Sequence, residues 1–177
     1  GQSRPQGMKN FGNQWSGNTH LLWDGLVNDS METTLEFDRD SEYCLQYQFT
    51  KAPDYGQFDI YLDDKVIASK IDLYATSVVL ADPVNVSGLK ISRGQHKIRF
   101  KLVGSNEKAS NYRKDRYLLG VDYIKTINMR PSHTDSEKDL AEQQVTEDKD
   151  LPSDVNGDSN ANDSLNVTLN DIKPILA

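Results

Sequence analysis

Apolar and polar residues alternate along the segment 35–62, and this pattern predicts three short β-strands. Apolar side chains occupy every second position in the runs 35–37, 43–49 and 58–62. A period of two is typical of a strand with one buried face and one solvated face. A polar turn at 38–41 and a connector at 51–56, which holds Pro, Asp and Gly, separate the runs. These residues favour loops over helices.

The same alternation continues along the chain and predicts an all-β fold. Asp63 and Asp64 form a turn into 66–68, which predicts a hairpin. The run 96–102 alternates most regularly, and 117–127 predicts the last strand. Short strands without a helical period between them indicate an antiparallel jelly-roll β-sandwich over residues 11–130. We expect the polar residues 1–10 to be frayed.

Charge divides the sequence in two. Residues 1–130 carry 17 Lys and Arg against 16 Asp and Glu, whereas residues 131–177 carry 3 against 11 and contain no aromatic residue. A segment of this composition buries too little apolar surface to offset its ordering entropy. We therefore expect an acidic, mostly irregular tail over 131–177. Neither part has the basic face of a nucleic-acid-binding protein, and no apolar run has the length of a membrane span.

The sequence carries no recognisable catalytic pattern. Most carboxylates fall in predicted turns or on solvated strand faces, no Ser lies in a nucleophile elbow, and the three His residues lack metal-ligand spacing. The single Cys44 excludes an internal disulfide and predicts a buried or half-buried thiol. Asp122 lies in an apolar strand and is expected to anchor a neighbouring loop. We predict that the chain is not an enzyme.

Oxygen-bearing side chains at alternate positions of the tail indicate a candidate calcium loop of the EF-hand type. The candidate ligands are Asp154, Asn156, Asp158, Asn160 and Asn162. Ser159 replaces the turn glycine of such loops, and Leu165 stands where the closing carboxylate belongs. A tail without a metal site therefore remains the alternative.

Several segments together resemble a known module. The runs are WSGNTHLLW, FTKAPDYGQFDIYLDDK, KIDLY, SRGQHKIRFKLVGSNEKA and LLGVDYI. Their order resembles the jelly-roll module on the C-terminal side of bacterial glycoside hydrolase family 172 proteins and of other secreted bacterial proteins. The resemblance covers 15–127 and implies a galactose-binding-like sandwich with an accessory or carbohydrate-binding role. It also implies a secreted, periplasmic or cell-surface location, with any signal lying outside this chain.

The tail resembles the first half of a dockerin repeat, the module that anchors bacterial glycan-degrading enzymes to partner proteins. The match comprises the run DVNGD and the following VTLNDIKPIL, which resembles the helix of the repeat. Only one repeat is present, whereas dockerins carry two. The resemblance implies an anchoring protein as a partner and calcium as the cofactor.

Aromatic and polar residues in predicted loops are the candidates for sugar contact, because sugar rings stack on aromatic faces while their hydroxyls need directional partners. They are Trp15, Asn18, His20, Trp23, Asp54, Tyr55, Asp72 and Tyr74. Alternatively, Trp15 and Trp23 close the ends of the core, and the tyrosines pack inside. We therefore predict a non-catalytic module that binds a polysaccharide or oligosaccharide. The alternative is a structural module that packs on a glycoside hydrolase domain or a second protomer.

Overall fold

The computed structural model describes residues 1–130, which form two antiparallel β-sheets. Their strands are β1 (Gln2–Gly7), β2 (Thr19–Gly25), β3 (Ser30–Phe37), β4 (Ser41–Lys51), β5 (Gly56–Leu62), β6 (Lys65–Asp72), β7 (Val79–Leu80), β8 (Val84–Ile91), β9 (Gly94–Ser105) and β10 (Tyr117–Asn128). Two 3-10 turns, Lys9–Phe11 and Ser16–Asn18, lie between β1 and β2. The prediction of an all-β antiparallel sandwich is confirmed.

Strands that are far apart in sequence lie side by side, as in a jelly roll. The larger sheet has the order β1-β2-β10-β4, with β7 and β8 both pairing with β4, and the smaller sheet has the order β3-β9-β5-β6. The last strand, β10, thus lies between β2 and β4. The predicted hairpin is present as β5 and β6.

Three aromatic rings form the centre of the core between the sheets. Tyr47 and Phe49 stand on β4, and Phe100 of the opposite sheet meets both edge-on at centroid distances of 5.9 and 6.0 Å. All three rings are fully buried. Edge-to-face pairs of this kind add to the stabilisation that comes from removing the rings from water. The apolar residues that alternate along the sequence therefore form the core between the two sheets.

Strand β4 departs from the predicted alternation, because its polar face is also covered. Gln48 and Thr50 are buried although they point away from the core, and Cys44 is buried as expected. The segment between β1 and β2 covers this face near Thr50, where its Trp15 is buried. The prediction that the polar side of this strand is solvated throughout is wrong, because a covering segment leaves no periodic signal in β4.

The N-terminal residues belong to the sheet, and the expectation that residues 1–10 are frayed is wrong. Residues 2–7 pair with β2 along their whole length, from Gln2 opposite Asp24 to Gly7 opposite Thr19. The sheet therefore begins at residue 2, before the predicted boundary at 11. Main-chain hydrogen bonds form this pairing without an apolar pattern, and Pro5 is tolerated because β1 is an edge strand.

The tail 131–177 and its predicted calcium loop lie outside the described residues. Within residues 1–130, no helix has the length and apolar character needed to cross a membrane.

The hydroxyl of Tyr47 yields a stability prediction. Within residues 1–130 this buried oxygen has no hydrogen-bond partner, and burial raises the pKa of the hydroxyl. Burying an unpaired hydroxyl costs about 1–3 kcal/mol. We expect Tyr47→Phe to raise the free energy of unfolding by about 1 kcal/mol, measured by urea denaturation of the full chain. A loss of stability would show that the hydroxyl has a partner.

Candidate functional site

Three loops meet at one end of the sandwich, namely 52–55, 73–78 and 106–116. We call the surface that they form together with Asp72, the last residue of β6, the rim. Main-chain hydrogen bonds connect the first loop, 52–55, to each of the other two. Ala52 donates to Leu73 and accepts from Ala75, and the backbone oxygen of Pro53 accepts from Ser110 at 2.8 Å. The backbone N–H of Leu118, at the start of β10, donates to Asp54. The loop conformations are thus fixed by both sheets.

Asp72 joins two of these loops through its carboxylate. It lies at the end of β6, where Oδ2 accepts a hydrogen bond from Asn106 Nδ2 at 2.7 Å and from Gln57 Nε2 at 3.4 Å. Its Oδ1 accepts from the backbone N–H of Tyr74 at 3.0 Å. Partial burial acts to raise the pKa of Asp72, but the bonds from Asn106 and Tyr74 outweigh it and the net pKa is lowered. This carboxylate is ionised and fixed, with the half-buried Tyr74 beside it.

The carboxylate of Asp54 accepts fewer stabilising hydrogen bonds than that of Asp72. Its side chain is half-buried, and its own backbone N–H stabilises it. Partial burial raises the pKa of the carboxyl above its usual value, and that backbone bond offsets the rise only in part. A desolvated carboxylate of this kind gains when it accepts hydrogen bonds from a ligand's hydroxyl groups.

The third loop carries a second half-buried tyrosine at the other side of the rim. The hydroxyl of Tyr112 accepts a hydrogen bond from Arg4 Nη2 at 3.2 Å, and the guanidinium of Arg113 lies over its ring at 5.0 Å. Arg116 Nε donates to Asp24 Oδ1 at 2.6 Å. A shallow depression of about 500 Å³ is bordered by Asp24, Tyr112, Arg113 and Arg116. Sequence reasoning missed them, because Arg4 and Tyr112 are 108 positions apart and only the sheet brings them together.

Two candidate sugar-contacting residues, Trp15 and His20, form a buried network on the outer face of β4. The indole Nε1 of Trp15 donates to Thr50 Oγ1 at 2.8 Å, and His20 Nδ1 lies 2.7 Å from the same oxygen. His20 Nε2 lies 2.7 Å from Gln6 Oε1. These contacts fit a neutral ring whose Nε2–H donates to Gln6 while Nδ1 accepts from Thr50. Both rings are only 3% exposed, so neither presents a face to a ligand.

The buried His20 leads us to predict how the stability of the protein depends on pH. Burial lowers its pKa from 6.5 to about 4. Between these values the unfolded chain binds a proton that the folded chain does not, so stability falls as the pH decreases from about 6.5 to 4. We expect this group to remove about 2–3 kcal/mol over that range. Urea denaturation of the wild type and His20→Gln at several pH values measures the difference. Parallel pH dependences in the two proteins would contradict the assignment.

The remaining candidates lie in different places. Trp23 belongs to the core and meets Phe58 edge-on at 6.1 Å. Tyr55 is buried at the base of the rim, where burial raises the pKa of its hydroxyl. Asn18 is half-buried in the segment before β2, beside a separate shallow depression of about 410 Å³. The rim thus brings together Asp54, Asp72 and Tyr74 at the surface, and it does not include Trp15, Asn18, His20 or Trp23.

Asp122 anchors a loop, as the sequence predicted. Its two carboxylate oxygens accept from the backbone N–H of Ser16 at 3.0 and 3.2 Å. Desolvation raises the pKa of this carboxyl, against the opposing effect of the Ser16 bond. The contact holds the covering segment on the sheet where β10 is irregular, between Val121 and Tyr123.

Metal binding is not visible at the rim. Among residues 1–130, no three His, Cys, Asp or Glu side chains are grouped so that they could hold an ion. The candidate calcium ligands Asp154, Asn156, Asp158, Asn160 and Asn162 lie outside the described residues, so calcium binding by the tail stays a prediction.

No protein-family model matches the sequence, and no curated protein is significantly similar to it. The resemblance to the family 172 modules therefore stays a prediction. Among solved structures, the chain is similar to part of a Paenibacillus xanthan lyase, with a TM-score of 0.60 and 19% identity over 72% of this chain. That match spans only 12% of the lyase.

Two further structures are more distantly similar. One is the CBM36-1 domain of a multidomain xylanase from the hindgut metagenome of Trinervitermes trinervoides, with a TM-score of 0.45 and 12% identity over 73% of this chain and 100% of the domain. The other is an exo-β-1,3-galactanase from Phanerochaete chrysosporium, with a TM-score of 0.43 and 14% identity over 71% of this chain and 26% of that one. Both superpositions are too loose to support an inference. The similarity to the lyase shows that this chain has the fold of a β-sandwich that occurs within a much larger protein.

Proposed function

We propose that this chain is a non-catalytic carbohydrate-binding module of a secreted glycan-degrading system, and that the rim is its glycan-binding surface. The observation that carries the proposal is the arrangement of the rim. Two half-buried tyrosines, Tyr74 and Tyr112, accompany the carboxylates of Asp54 and Asp72, and hydrogen bonds join the rim loops to both sheets.

The chemistry of the rim suits a sugar. A partly exposed tyrosine ring offers a flat apolar face for the C–H groups of a pyranose, and a carboxylate accepts hydrogen bonds from vicinal hydroxyls. Asp72 is already fixed by Asn106 and by the backbone of Tyr74, so little entropy is lost when a ligand binds there. A shallow surface also suits a polymer that passes across it better than a deep pocket would.

The similarity to part of a lyase that acts on xanthan supports a role beside a glycan-degrading enzyme. An accessory module contributes by holding its partner near the polymer, so it needs no reactive group of its own. We propose that a catalytic domain or an anchoring protein is the macromolecular partner and that the module acts outside the cell.

A glycan screen of the full chain tests this function. Soluble oligosaccharides from plant and bacterial polysaccharides are titrated by calorimetry, and the melting temperature is measured with each. We expect at least one glycan class to bind with a Kd below about 1 mM, or −4 kcal/mol. If no glycan binds and the chain self-associates instead, the structural-module alternative is supported. The exposed Leu26 and Val27, in the loop between β2 and β3, are the apolar residues that would favour that alternative.

A further inference from the structure

Three arginine side chains converge at one end of the rim, around the depression of about 500 Å³ beside Tyr112. Arg4 comes from edge strand β1, whereas Arg113 and Arg116 come from the loop 106–116. Arg116 and Arg113 border the depression, and Arg4 reaches the hydroxyl of Tyr112. Elements that are distant in sequence thus place three permanent positive charges together.

Among residues 1–130, the ion pairs of these arginines do not balance their three charges. Asp24 is the carboxylate in the depression, and it pairs with Arg116 at 2.6 Å and with Arg4 at 3.5 Å. Two guanidinium groups therefore share one carboxylate. Arg113 forms no ion pair within residues 1–130, and its guanidinium lies over the ring of Tyr112. The local excess of positive charge contrasts with the net charge of −7 of the whole chain.

The geometry of these groups favours an anion of a particular shape. A guanidinium is a planar fork of N–H donors that matches the two oxygens of a carboxylate. Tyr112 adds a partly buried aromatic ring beside this guanidinium, and such a ring can contact the apolar side of the sugar that bears the carboxylate. Asp24 repels an anion at its own position, and both Arg4 and Arg116 pair with it. Arg113, which forms no ion pair within residues 1–130, is therefore the group that would receive the ligand.

We propose that this end of the rim binds the carboxylate of an acidic sugar, so that the module prefers glycans that contain uronate residues. This preference rests on the proposed function, because it names the ligand class of the same surface. Arg113 is the residue on which the preference depends most, since it forms no ion pair with a carboxylate in the described part of the chain.

Calorimetry of the full chain with matched ligands tests the preference. The probes are oligogalacturonides and alginate oligosaccharides, each compared with the same oligosaccharides after their carboxyl groups have been reduced to alcohols. We expect reduction to raise the Kd at least tenfold, because the loss of a hydrogen bond to a charged group typically weakens binding by more than a factor of ten. Arg113→Gln should remove this difference. Arg93→Gln, which removes the same charge at the opposite end of the sandwich, should preserve it.

The outcomes separate the preference from the underlying function. If the reduced and acidic forms bind equally at the rim, the acidic-sugar inference is overturned and carbohydrate binding stands. If sulfated neutral oligosaccharides bind as tightly as the uronates, charge alone decides and the carboxylate assignment is overturned. If no glycan of either kind or of the wider screen binds, both proposals fail.

Discussion

Replacing Phe100 with Ala is expected to lower the free energy of unfolding by about 3–5 kcal/mol, the range typical of a buried Phe→Ala change. Phe100 is fully buried and meets Tyr47 and Phe49 of the opposite sheet. Removing its ring leaves a cavity that the two sheets cannot close, because the neighbouring core side chains hold the sheets apart. The lost stability therefore has two parts, namely the free energy gained by burying the ring and the cost of the cavity that remains.

Urea denaturation followed by tryptophan fluorescence measures this loss, because both tryptophans are buried. Lys97→Ala is the matched control on the same strand. Its exposed side chain pairs with Glu32 at 3.1 Å, and a surface pair of this kind contributes less than about 1 kcal/mol. A Phe100→Ala variant as stable as this control would contradict the placement of β9 against β4.

Replacing both Tyr74 and Tyr112 with Ala is expected to weaken glycan binding by about 30-fold or more. Both rings are half-buried in the rim, and the loss of an aromatic contact with a sugar costs about 1 kcal/mol or more. Calorimetry with the best ligand of the screen measures the effect, and the melting temperature shows whether the double variant remains folded.

Tyr61→Ala provides the control for this experiment. Tyr61 is also half-buried and carries the guanidinium of Arg99 over its ring at 4.3 Å, but it lies on β5, outside the three rim loops. We expect its replacement to leave the Kd unchanged within about twofold. If Tyr61→Ala weakened glycan binding as much as the Tyr74 and Tyr112 double variant does, the ligand would have to bind elsewhere on the sandwich.

The strands of the core could be predicted from the sequence because burial on one face imposes a period of two. Leu45, Tyr47 and Phe49 alternate with polar residues, and their buried side chains form the centre of the sandwich. The edge strand β1 could not be predicted in this way. Its pairing depends on main-chain hydrogen bonds, which leave no trace in the polarity of the side chains.

The candidate site was predictable only in part, for a related reason. Asp54, Asp72 and Tyr74 lie at or near strand ends that the sequence already indicates, so their position at one rim followed from the fold. Arg4 and Tyr112 meet only through the pairing of β1 with β2 and of β2 with β10. The burial of Trp15 and His20 depends equally on tertiary contacts, since a tryptophan in a loop-like segment fits either a ligand platform or a covering segment.

The most direct test of a glycan-binding rim is an NMR titration of the isotope-labelled full chain with the glycan that binds best. We expect saturable shifts of backbone amides concentrated in 52–55, 73–78 and 106–116, with little change in the turns at 38–40 and 92–93 at the opposite end. Shifts centred on the outer faces of the sheets or on those opposite turns, with the rim amides unchanged, would contradict the account.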